Sequence, residues 1–121
     1  MSADPVRIAL LGAGTVGAAV ARRLVGRADL YETRTGRRFE LAGVAVRDTS
    51  RPREGIDPAL ITDDAEGLVD RADVVVEVMG GIQPARDLVE RALRRGVPVV
   101  TANKQLIAQH GPALHALAHD H

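Results

Sequence analysis

Six residues, Gly12-Ala13-Gly14-Thr15-Val16-Gly17, separate an apolar run, Val6 to Leu11 (VRIALL), from a segment with apolar residues at Val16, Ala19, Val20 and Leu24. The first run is short and stops at a glycine, which favours a buried strand over a helix. The spacing that follows is helical, with Arg22, Arg23 and Arg27 able to carry their charges outward. A strand, a glycine turn and a helix in this order open a crossover unit and commit the chain to a parallel sheet. Each glycine of the G-x-G-x-x-G pattern has a physical job. Gly12 permits the tight turn, Gly14 lets backbone approach a pyrophosphate, and Gly17 lets the helix pack close to the strand. Phosphates would then sit on the free N–H groups at the helix start. The pattern predicts dinucleotide binding, with a merely tight turn as the plainer alternative.

The rest of the chain continues the alternation. Ala28 to Arg38 is polar with a central Gly36 and reads as the end of the helix and a loop. Phe39 to Val46 (FELAGVAV) returns to strand character, and RDTSRPREGIDP after it is loop. Leu60 to Thr62 is a short strand, followed by a helix from about Asp64 to Arg71. Asp73 to Met79 (DVVVEVM) is the strongest strand signal, because three consecutive valines are poor in helices. It ends at Gly80-Gly81. Ala85, Leu88, Val89, Ala92 and Leu93 then trace one helix face, with Pro84 near its start and Gly96 just past its end. Asp87 with Arg91 and Glu90 with Arg94 have the i,i+4 spacing of ion pairs. Val97 to Thr101 is the next strand. A helix begins at Lys104 and breaks at Gly111-Pro112, and a final helix covers Ala113 to Ala118. The 121 residues suffice for one core, so residues 1–121 are expected to form one α/β domain, a doubly wound parallel sheet. With one Phe, one Tyr and no Trp, that core is aliphatic, as suits strands buried on both faces.

Composition removes several classes of function. The formal net charge is zero, so nothing global argues for nucleic acid or an anionic membrane surface. The absence of cysteine excludes a disulfide framework, a thiolate metal site and a cysteine nucleophile. The N-terminus, MSADPVRIALLG, lacks the features of a signal peptide, and no apolar stretch approaches the ~18 residues needed to cross a bilayer. A cytoplasmic setting is the expectation. His115 and His119 have the i,i+4 spacing of a metal pair but no third ligand, so no metal site is assigned.

Four strand ends should meet at one crevice, because ligands of open α/β sheets bind beyond the carboxyl ends of the strands. The second strand ends Val46-Arg47-Asp48. Arg47 is suited to pair with a 2′-phosphate in fork geometry, and Arg51 and Arg53 lie in the loop that could fold over it. That favours NADP; Asp48 keeps NAD open, since an acidic residue there can accept from a ribose 2′-hydroxyl. The Gly80-Gly81 pair would let a flat nicotinamide ring approach the backbone, or is a simple turn before Pro84. Glu77 lies inside an apolar strand, near the strand mouth or paired, and is not assigned to catalysis. Thr101-Ala102-Asn103-Lys104 closes the last strand. Lys104 is the only lysine beside 15 arginines. Lysine can shift its pKa and exchange a proton, whereas arginine stays charged, so Lys104 is the catalytic candidate over a surface lysine.

In this order, GAGTVG, VRD, EVMGGIQPA and VVTANK resemble the nucleotide-binding domain of homoserine dehydrogenase, over about Val6 to Ala118. The resemblance implies a Rossmann-type domain and reversible NAD(P)-dependent interconversion of L-aspartate 4-semialdehyde and L-homoserine, on the route to threonine and methionine. It places the cofactor against Ala13, Thr15, Val16, Arg47, Gly80, Thr101 and Lys104, with Lys104 at the junction of nicotinamide and substrate. Members of that family continue into a substrate and dimerisation domain, through which they would form homo-oligomers. The present sequence is therefore expected to be a fragment that binds NADP(H) weakly or moderately and does not turn over homoserine. Two other readings stay open: a related oxidoreductase such as an aspartate dehydrogenase, and a non-catalytic module that senses NAD(H).

Overall fold

A computed structural model describes residues 4–121 of the chain, so the first three residues of the expected leaderless N-terminus lie outside the described residues. The elements run β1 (Val6–Leu11), α1 (Thr15–Gly26), α2 (Ala28–Thr35), β2 (Phe39–Ala45), β3 (Ile61–Thr62), α3 (Ala65–Asp70), β4 (Val74–Glu77), α4 (Ala85–Arg94), β5 (Val99–Thr101) and α5 (Lys104–Asp120). A 3₁₀ turn, Pro58–Leu60, leads into β3. Among the described residues the strands form one parallel sheet in the order β3-β2-β1-β4-β5. The chain winds from β1 outward through β2 and β3, then returns to the other side of β1 for β4 and β5. That reversal is what opens a crevice at the carboxyl ends of the strands.

Period-two alternation sends the strand side chains to two separate helix layers. Ala9, Leu11, Ala45 and Val75 pack with Leu68 and Val69 of α3 and with Leu88 and Ala92 of α4. Leu10 and Val44 face the other way, against Ala21 of α1 and Ile56 of the loop after β2. Leu10, Leu11, Val44 and Val75 are fully buried, and each contributes roughly 1.5–3 kcal/mol of burial energy. The pairing of β1 with β2 shifts register between Ile8 and Ala9, beside Gly43. A Cβ at Gly43 would lie 2.8 Å from Leu68 Cδ1 and 3.2 Å from Leu60 O, so glycine leaves room for α3 and the 3₁₀ turn to close on β2.

Three local expectations are corrected. The segment from Ala28 to Arg38, read as helix end and loop, contains α2. None of its residues is buried, so no apolar stripe announces it. It is instead closed by local bonds, Thr33 Oγ1 to Asp29 O at 3.0 Å and Thr35 Oγ1 to Tyr31 O at 2.7 Å, and by Gly36 in the left-handed region at φ +75°. The predicted break at Gly111-Pro112 is absent, and α5 runs through it. An interior proline costs about 3 kcal/mol locally. Leu106 and Leu114, on either side of it, are buried against Ala85, Val89 and Leu93 of α4, and that packing keeps the helix whole. Third, Arg91 does not take Asp87 as its partner. It reaches across to α3, with Nε 2.8 Å from Asp70 Oδ1 and Nη2 2.7 Å from Asp70 Oδ2, a two-point geometry that an i,i+4 pair does not match. The Glu90–Arg94 pair forms at 3.7 Å. No helix among the described residues is long and apolar enough to cross a membrane.

Candidate functional site

The glycine turn is wedged between β2 and β4. Gly12 N donates to Ala45 O and Val78 N donates to Leu11 O, each at 2.9 Å. Gly12 has φ +104°, and a Cβ there would lie 3.1 Å from Val78 O. A Cβ on Gly17 would overlap the Gly12 carbonyl. These two glycines are required by the fold itself: Gly12 for the tight turn and Gly17 for the close packing of the helix start, the roles the sequence predicted for them. Gly14 differs: it caps α1 with φ −71°, and a Cβ there would meet nothing within 4 Å. Helix α1 has no side-chain cap and no acidic residue in its first turn, so no side chain satisfies its leading N–H groups. Thr15 and Val16, in that first turn, are exposed; Val16 is 58 % exposed and does not join the packed face predicted for it, because it lies beyond the edge where Gly17 and Ala21 are buried.

Gly12, Ala13 and Gly14 line a crevice of about 460 Å³ together with Arg47, Asp48, Arg51 and Arg53 on one side and Met79-Gly80 on the other. The arginines are not equivalent. Arg53 Nη1 donates to the carbonyls of Asp48 and Arg51, both at 2.9 Å, and thereby braces the loop. Among the described residues no carboxylate lies in ion-pair range of Arg47 or Arg51. Asp48 is engaged: its Oδ1 accepts from the Ser50 hydroxyl and from Ser50 N, and the hydroxyl above all holds this carboxyl below the ordinary aspartate range.

Gly80 and Gly81 both adopt positive φ, +77° and +73°, and a Cβ on either would meet nothing within 4 Å. Positive φ at both positions makes this a tight turn, and its backbone carries no side chain that would block an approaching group. The Gln83-Pro84 peptide between this turn and α4 is cis.

The fourth strand end stands somewhat apart. Thr101, Asn103 and Lys104 line a second, more open hollow of about 540 Å³ with Ile107 and Ala108. One crevice was expected for all four strand ends; three share it, and the end of β5 instead lines the hollow with residues of α5, which begins soon after the strand. Lys104 is the first residue of α5 and is exposed. A cation in the first turn of a helix opposes the helix dipole.

Beneath this end lies a feature that the sequence reading left unassigned. Glu77 is fully buried and Asn103 is 5 % exposed. Asn103 Oδ1 accepts from Leu106 N at 3.1 Å and caps α5, while its Nδ2 donates to Gly81 O at 2.6 Å. An asparagine between a strand and a helical pattern is an N-cap signal, so the first of these contacts was legible. Among the histidines, His115 borders an apolar groove between α4 and α5, and no group of three metal-binding side chains forms among the described residues.

Comparison with known proteins bears on what this edge serves. Residues 12–121 match the family model described as homoserine dehydrogenase, NAD binding domain. The homoserine dehydrogenase of Corynebacterium glutamicum is 50 % identical over 111 residues, covering 90 % of this chain and 25 % of that protein. The chain thus spans about a quarter of the length of the curated relatives it matches. The crystal structure of Staphylococcus aureus homoserine dehydrogenase superposes with a TM-score of 0.88 at 34 % identity, over 96 % of this chain and 30 % of that one. A hyperthermophilic archaeal homoserine dehydrogenase in complex with NADPH shares the fold at a TM-score of 0.72 and 24 % identity, over 97 % of this chain and 41 % of that one. Sequence pattern, sheet topology and these matches favour one family over the aspartate dehydrogenase and sensor readings, and the chain belongs to the NAD-binding domain family of homoserine dehydrogenases.

Proposed function

We propose that this chain is the nucleotide half of a homoserine dehydrogenase that interconverts L-aspartate 4-semialdehyde and L-homoserine, with NADP favoured over NAD. The observation that carries the proposal is the crevice itself. A glycine turn with an open face at Gly14, an uncapped α1, and the arginine loop meet there on three sides. Such a crevice fits a dinucleotide: the diphosphate on the N–H groups at the start of α1, with Ala13, Thr15 and Val16 in contact, and the 2′-phosphate on Arg47 with Arg51. Arg53 supports the loop, and Asp48 has one carboxylate oxygen taken by Ser50.

The nicotinamide ring, when bound, supplies or accepts the hydride; Gly80, Gly81 and Thr101 are the residues we assign to its side of the site. Lys104 is assigned to the reacting oxygen. Negative charge grows on that oxygen as the aldehyde is reduced, and an ammonium group stabilises it and can donate the proton that completes the alcohol. Placing a lysine in the first turn of α5 costs helix stability, which supports a role other than structural for it. The remainder of the substrate pocket and the homo-oligomer contact are assigned to polypeptide outside residues 1–121, in keeping with the quarter-length match to the relatives. On this reading the chain by itself binds nucleotide without turning over homoserine, and the parent enzyme serves threonine and methionine synthesis in the cytoplasm.

The test is titration of the chain with NADPH and NADH, wild type against Arg47→Ala. NADPH affinity should fall by about tenfold, one charge-assisted contact, while NADH affinity holds. An unchanged NADPH affinity would remove Arg47 from the 2′-phosphate site.

A further inference from the structure

Glu77 has no part in the assignments above, and we propose that it is a positioning residue: with Asn103 it locks the Gly80-Gly81 turn to the start of α5 and so fixes the nicotinamide side of the site. The inference rests on the nucleotide-binding reading.

Glu77 follows Val75 on the face of β4 that packs on α3 and α4, where the alternation calls for an apolar residue. Parallel pairing sets Thr101 of β5 beside it, and the Thr101 hydroxyl donates to Oε1 at 2.6 Å. Met79 N donates to Oε2 at 2.8 Å, and Asn103 Nδ2 stands 3.4 Å from the same oxygen. Asn103 N in turn donates to Thr101 Oγ1 at 3.0 Å. Among the described residues no buried side-chain polar atom is left without a partner.

A carboxyl in an aliphatic core is costly unless every bond is made, and a well-packed apolar residue would avoid that cost. What this network holds is therefore informative. One end is the Met79 N–H and the Gly81 carbonyl, the two flanks of a turn with successive glycines at positive φ, the most permissive backbone there is. The other end is the cap of α5, one residue before Lys104. Asn103 bonds both, so a single buried side chain sets the turn and the catalytic candidate relative to each other. Hydrogen-bonded networks of this kind hold a site more tightly than either segment holds itself.

The experiment compares two ligands on the chain: NADPH, and 2′-phospho-ADP-ribose, which lacks the nicotinamide. Asn103→Ser keeps a good helix cap and removes the donor to Gly81 and Glu77; Glu77→Gln puts an amide among converging donors. Both variants should lose about tenfold in NADPH affinity, the size of one buried hydrogen bond, and hold 2′-phospho-ADP-ribose within about twofold of wild type. A merely structural role would lower both affinities in parallel, which overturns the inference, as does no change in either. If Glu77→Gln does not fold, Asn103→Ser alone decides. Wild-type chain that binds neither ligand overturns the nucleotide reading and this one with it, whereas wild-type binding with unaltered variants overturns this one only.

Discussion

Helices α1 and α5 both start at the carboxyl edge of the sheet, directly after a strand, yet their first turns are built in opposite ways. Helix α1 has a glycine at its cap, no side chain on its leading N–H groups and no acid in its first turn. Helix α5 is capped by a buried asparagine and carries a lysine in its first turn. One helix start is left open for an anion to complete it. The other is closed from within, so that its polar groups serve position and its exposed lysine can serve chemistry. The difference shows that a strand-to-helix junction becomes a binding surface or a mounting for a side chain according to who satisfies the first N–H groups.

The sharpest test of the closed junction is Lys104→Arg in a polypeptide that also carries the substrate domain. Charge is retained and proton exchange is lost, so turnover should fall by at least about 100-fold. Near-normal turnover would reduce Lys104 to a charge contact. At the open junction the second and third glycines of the turn should separate cleanly. Gly17→Ala drives a Cβ into the Gly12 carbonyl and should cost about 1–3 kcal/mol, read as a lowered denaturation midpoint. Gly14→Ala has open space and an ordinary φ, so stability should hold while nucleotide affinity drops. Equal loss of stability at both positions would break the distinction between a glycine that packs and one that receives.

The smallest effect lies away from both junctions. The hydrogen bonds from Arg91, and then its charge, hold the Asp70 carboxyl below the ordinary aspartate range, and the Arg91 guanidinium is raised in return, first by its hydrogen bond to Asp70. A carboxyl lowered in the folded state adds stability above its unfolded pKa of about 3.9 and loses it as pH falls through the lower folded value. Acid titration of wild type against Arg91→Gln should therefore show a modest wild-type advantage near neutral pH that fades below about pH 4. An advantage that persisted there would assign Arg91 a packing role instead.

Much of this was legible along the chain. Val6–Leu11 with its glycine turn, the valines of β4, and the stripe of α4 each carry their periodicity in consecutive residues, and each formed as read. The misreadings share a cause. Helix α2 has no buried face, so its stability comes from hydroxyl-to-carbonyl bonds and a left-handed glycine that periodicity does not register. Pro112 argues locally for a break, and only the contact of α5 with α4 overrules it. Arg91 had a plausible partner four residues away and found a better one on another helix.

The sequence by itself determined the order of the strands along the chain, the close packing that only glycine can make at Gly12 and Gly17, and the family to which the chain belongs, because each of these is written in local spacing and residue size. Tertiary structure decided which groups meet. It set Arg53 to bracing and left Arg47 and Arg51 without a carboxylate partner, divided the strand ends between a crevice and a hollow, and joined Glu77, Thr101 and Asn103 beneath the glycine pair. Those pairings link residues up to 26 positions apart, and they exist only because parallel pairing puts the ends of β4 and β5 side by side.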